Sequence, residues 1–130
     1  MMNNEEIISL HKYFITANIF YDEFHNYIKY NKEDKYFTIL SQIKMGIWYS
    51  SLYIVVEGWE ELSLNYNNIN LLLENEKNLK NLKLFRNGFF HYQKKYWNEK
   101  NTGIINDKLF IEWIGNLHRE FSNWFISNLS

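Results

Sequence analysis

Phe37-Thr38-Ile39-Leu40-Ser41-Gln42-Ile43-Lys44-Met45-Gly46-Ile47-Trp48-Tyr49-Ser50-Ser51-Leu52-Tyr53-Ile54-Val55-Val56-Glu57-Gly58-Trp59-Glu60-Glu61-Leu62 is the stretch whose reading decides the fold. Its apolar residues follow helical spacing, and they do so twice. Met45, Trp48, Leu52, Val55, Trp59 and Leu62 make one stripe. Leu40, Ile43, Ile47 and Ile54 make another. A helix that is apolar on two sides is covered on two sides, so this segment is placed at the centre. Glu57 continues the second stripe one helical step past Ile54, and a carboxylate there calls for a cationic or hydrogen-bonding partner.

Working outward, Ile7, Leu10, Phe14, Ala17, Tyr21, Phe24 and Ile28 recur at spacings of three and four. They predict a helix from about Glu5 to Tyr30. Glu5 and Glu6 suit its N-terminal dipole and Lys29 its C-terminal one. The polar run Asn31 to Lys35 is a solvated turn. Ser63 to Asn70 is a loop, and Ile69 to Leu73 is a candidate short helical turn. A third helix starts between Asn75 and Lys80, with Leu79, Leu82, Phe85 and Phe89 on one face. Trp97 to Gly103 is a turn. Asn106 or Asp107 can cap a fourth helix. Its buried face is Phe110, Trp113, Ile114, Leu117, Phe121, Trp124 and Phe125. No proline interrupts any of these segments. Period-two alternation is not sustained anywhere. The expectation is an all-α chain: one up-and-down bundle over residues 1–130, with four main helices and at most one short extra.

Composition narrows the function classes. The 130 residues are enough for one core, and 46% hydrophobic content is too high for disorder. The net charge of -1 gives no basic field, so any contact with RNA must be local. The absence of cysteine removes disulfides and thiolate metal sites. The polar start Asn3 to Glu6 is unlike a signal peptide. Met45 to Val56 is shorter than the ~18 residues needed to span a bilayer. The expected setting is cytoplasmic, without membrane contact. Asp22 and His25, three apart, offer one imperfect metal-ligand pair. A di-iron bundle needs two complete Glu-x-x-His pairs and two further carboxylates, so no metal or other cofactor is expected. His11, His25 and His118 read as helix-surface or boundary histidines. The tryptophans and phenylalanines read as core.

The chemistry-bearing stretch is Leu84 to Gln93, which sets Arg86, Asn87 and His91 among aromatic and aliphatic residues. Polar groups in such company are costly unless paired or used. Arg86-Asn87-Gly88-Phe89-Phe90-His91 resembles the R-x4-H motif of the HEPN superfamily. Asparagine after the arginine looks like the commonest form of that motif. It also stands late in a helical chain of the right size, as it does in HEPN domains.

That resemblance implies a metal-independent endoribonuclease or RNA-binding protein. It implies a homodimer, in defence or toxin–antitoxin biology with an antitoxin protein as partner. Carried over, Arg86 and His91 are catalytic and Asn87 supports them. Attack of an RNA 2′-hydroxyl needs a base and an acid, and imidazole suits both roles. A guanidinium can grip the charge that builds on phosphorus. One chain offers one motif histidine; two chains offer two.

Arg86 and His91 lie about 140° apart on an ideal helix, so their convergence needs a long reach or a loosened helix near Gly88. Glu57 is expected to pair with Arg86 and orient it. For Arg86 the bland reading is that same ion pair without catalysis, and the two roles can coexist. Lys94 and Lys95 can touch phosphate or simply be solvated. Some HEPN toxins are controlled by modification of a tyrosine two residues after the histidine. Here Gln93 holds that place and the tyrosine is Tyr92. The alternative to a nuclease is a catalytically silent helical interaction module.

Overall fold

A computed structural model describes residues 4–90 and 106–129. Among the described residues the helices are α1 (Asn4–Tyr30), α2 (Phe37–Glu61), α3 (Asn67–Leu73), α4 (Glu76–Phe90) and α5 (Lys108–Leu129). No strand occurs among the described residues. The expected all-α bundle of four main helices is present, and α3 is the short extra one. The turn expected over Trp97–Gly103 lies outside the described residues, as do His91, Tyr92, Gln93, Lys94 and Lys95.

The helix starts follow capping chemistry. Asp107 Oδ1 accepts the backbone N–H groups of Leu109 at 3.0 Å and Phe110 at 3.3 Å, opening α5. Asn75 Oδ1 accepts the N–H of Asn78 at 3.0 Å and opens α4.

Side-chain contacts give the direction of each helix. Moving up α4 from Arg86 to Phe89, the α2 partners run down from Tyr53 to Gly46, so the two are antiparallel. Along α5, His118 meets Tyr21 while Phe125 meets Phe14 and His11, so α5 runs against α1. The result is up-down-up-down, with α3 inside the α2–α4 connection. One end of the bundle therefore gathers the end of α1, the start of α2, the end of α4 and the start of α5.

The core is aromatic. Trp59 sits edge-on to Trp124 at 5.0 Å and to Phe121 at 5.5 Å. Trp113 Nε1 donates to the Leu72 carbonyl at 2.9 Å and ties α5 to α3. The expected faces of α1, α4 and α5 point inward, except that Ile28 near the end of α1 is half-buried and lies outside the core.

The second stripe of α2 departs from expectation. Ile43 is exposed, and Leu40, Ile47 and Ile54 are only half-buried. The second covered side of α2 instead runs through Gly46, Tyr49 and Val56. Tyr49 meets Phe85 edge-on at 5.2 Å. α2 is central all the same.

Taken whole, α2 is long and apolar enough to cross a bilayer, unlike the Met45–Val56 run within it. A core helix passes the same test, and most of the residues of α2 between Met45 and Trp59 are buried by protein.

Candidate functional site

Arg86 and Asn87 stand near the C-terminal end of α4, both half-buried. α4 is anchored there by two phenylalanines. Phe85 is fully buried. Phe89 stacks on it at 6.1 Å, and its ring fills the space a Cβ on Gly46 would need. A residue with a side chain at position 46 would push α4 away from α2; glycine lets the helices close.

Arg86 Nη1 donates to Asn87 Oδ1 at 3.4 Å, and the guanidinium carbon lies 6.0 Å from the Tyr53 ring centroid. The latter is at the outer limit of a cation–π contact. The helix runs unbroken across Gly88 to Phe90, so the loosening considered for that glycine does not occur among the described residues. The meeting of Arg86 with His91 falls outside them.

The expected Glu57–Arg86 ion pair is not formed; the ion pair among the described residues is Lys44–Glu23 at 3.2 Å. The reason is geometric. Tyr53, one turn before Glu57 on α2, is the residue that meets the guanidinium. Glu57 is exposed and lines a groove of about 400 Å³ between α1 and α2, with Glu6, Tyr13 and Glu61. Glu57 and Arg86 still share a field. Burial first, then the carboxylates of Glu57 and Glu60, hold the Tyr53 hydroxyl above its ordinary range, and the Arg86 charge opposes them.

The sequence reading missed His118, which is buried rather than at a boundary. Trp48 Nε1 donates to its Nδ1 at 3.0 Å, and its Nε2–H donates to Asn18 Oδ1 at 3.0 Å. Tyr21 stacks on its ring at 4.3 Å. Burial first, then nearby His25, pull it from 6.5 to about 4, so the ring is neutral at pH 7. The signal was present: His118 is four residues after Ile114 and three before Phe121, on the buried face of α5. His118 is a structural histidine on the far side of α2 from Arg86.

His25 Nδ1 is engaged with the Tyr21 carbonyl at 2.7 Å. Among the described residues no three metal-ligating side chains gather.

What the end of α4 can do chemically is hold an anion. A guanidinium braced by an amide and a ring, without a carboxylate in ion-pairing reach among the described residues, keeps donors for phosphate. No family model, curated protein or solved structure matches the chain.

Proposed function

We propose that this protein is a HEPN-like, metal-independent endoribonuclease that acts as a dimer. Its setting on this reading is cytoplasmic defence or toxin–antitoxin biology, where a neutralising antitoxin protein is the expected partner. The observation that carries the reading is Arg86 beside Asn87 near the C-terminal end of a bundle helix, not ion-paired to Glu57, with His91 following Phe90 in the sequence.

Catalysis proceeds by transesterification. A base removes the 2′-hydroxyl proton, the 2′-oxygen bonds to phosphorus, and the bond from phosphorus to the 5′-oxygen breaks. An acid protonates that oxygen. The products are a 2′,3′-cyclic phosphate and a 5′-hydroxyl, and no metal or water is consumed. His91 supplies proton transfer, and Arg86 holds the anionic phosphorus centre. Asn87 positions Arg86 through their hydrogen bond.

The test is RNA cleavage in EDTA. Wild-type protein is expected to yield cyclic-phosphate ends. His91→Ala and Arg86→Ala are each expected to lose on the order of 10²-fold or more in rate. Absence of cleavage, or equal cleavage by His91→Ala, would remove the nuclease reading.

The second reading is a catalytically silent interaction module. The near-neutral charge favours it, since nothing in the composition draws nucleic acid over a distance. It predicts no RNA products at any protein concentration.

A further inference from the structure

The exposed aromatic rings among the described residues are tyrosines: Tyr13, Tyr30 and Tyr36. Two of them bracket one turn. Tyr30 closes α1 with 71% of its surface exposed, and Tyr36 precedes α2 with 56% exposed. Among the described residues neither ring belongs to the core or packs against it. Each carries a lysine ammonium: Lys29 lies 5.1 Å from the Tyr30 centroid and Lys35 lies 5.5 Å from that of Tyr36. Lys32 is exposed between them.

The turn itself is held in shape. Asp34 N–H donates to the Asn31 carbonyl at 3.0 Å, Phe37 N–H donates to the Asp34 carbonyl at 3.0 Å, and Tyr36 N–H donates to Asp34 Oδ1 at 2.9 Å. One of the turn's two carboxylates is thereby occupied as a backbone acceptor. Exposed rings beside lysines on a braced loop are what single-stranded nucleic acid uses: any base can stack, and the ammonium groups meet its phosphates.

Position adds to chemistry. Because α4 runs against α2, the end of α4 lies toward the end of the bundle where α1 turns into α2, with Arg86 further down beside Tyr53. From Tyr53, whose ring the Arg86 guanidinium faces, to Phe37 is sixteen residues, about 24 Å of helix, the span a bound strand would have to cover.

We propose that the α1–α2 turn, with Tyr30 and Tyr36 as stacking rings and Lys29, Lys32 and Lys35 as phosphate contacts, is a binding site for single-stranded RNA. Its role in feeding a strand toward Arg86 rests on the nuclease reading; the binding itself does not.

The test uses the full chain in EDTA, a fluorescein-labelled single-stranded 12-mer RNA and the matching duplex. Tyr30→Ala and Tyr36→Ala should each weaken single-strand binding at least about fivefold, while Tyr→Phe at either site keeps it within about twofold. The duplex should bind less well, because its bases are already stacked. With three lysines in play, log affinity against log salt should fall with a slope no steeper than about −2. Both rings are exposed, so the thermal unfolding midpoint serves as a control and should not move. Unchanged binding by the alanine variants, preference for the duplex, or no RNA binding by the wild type would each overturn the platform. Ring-dependent binding without cleavage supports the platform and removes the nuclease. Cleavage with ring-independent binding does the reverse.

Discussion

His118 shows what one residue can carry in this bundle. Its ring joins three helices through Trp48, Asn18 and Tyr21, and each ring nitrogen is already committed. A second proton on Nδ1 would face the Trp48 N–H, a donor against a donor. The sign of the pH effect follows. The folded ring takes its second proton only near pH 4, while an unfolded chain takes it near 6.5. Below 6.5 the unfolded state therefore binds more protons, and stability falls until about pH 4. The full difference is on the order of 3 kcal/mol. Urea unfolding at pH 7.5, 6, 5 and 4 should show that loss in the wild type. His118→Gln, less stable at pH 7.5, should lack the share that falls between 6.5 and 5, above the range where carboxylates titrate. Parallel curves for the two proteins would refute the assignment. Residue type alone did not reveal this role, since histidine is at home on a surface. Its register on α5 did, and that register was legible beside Ile114 and Phe121. Glu57 failed in the opposite sense. Its register suggested a covered stripe, but a stripe shows only that residues share a face, not that another helix covers it. Tyr53, bulky and one turn away, met Arg86 instead.

At the scale of elements, the α2–α4 contact decides where the candidate site sits. Phe85 and Phe89 were legible as one face of α4, and both pack inward. The notch that receives Phe89 was not legible, because a glycine within an apolar stripe carries no pattern of its own. Gly46→Ala places a methyl group inside the Phe89 ring position. The expected cost is about 1–3 kcal/mol by overpacking, read from denaturant midpoints. In a Phe89→Ala background the clash is gone. Alanine should then stabilise α2 by up to about 1 kcal/mol, from helix propensity. A reversal of sign across this double-mutant cycle is the diagnostic result. Additive costs would mean that Phe89 does not occupy the notch. If Arg86 depends on this docking, RNA cleavage should also fall in Gly46→Ala and stay low in Phe89→Ala, since both release the end of α4. The capping residues were easier to foresee: Asp107 accepts the first N–H groups of α5 as its residue type suggested.

At the scale of the whole molecule, the bundle was readable because every helix kept its period and no proline broke one. What could not be read is anything that needs a second chain, and the chemistry proposed here needs one. A transesterification uses a base and an acid at once, whereas each 16.0 kDa chain brings a single motif histidine. If two motifs share one groove, activity belongs to the dimer alone. Below the dimer dissociation constant the initial rate of RNA cleavage should rise with the square of protein concentration, and well above it the dependence should become linear. Sedimentation at the same concentrations should show a species of twice 16.0 kDa appearing over the same range. Mixing wild-type protein with excess His91→Ala should then lower the rate, because each active chain is drawn into a mixed pair with one competent histidine. A rate linear in concentration throughout, and indifferent to the added variant, would mean that one chain suffices. Acid and base would then have to come from within a single subunit, and the shared groove would have no part in the reaction.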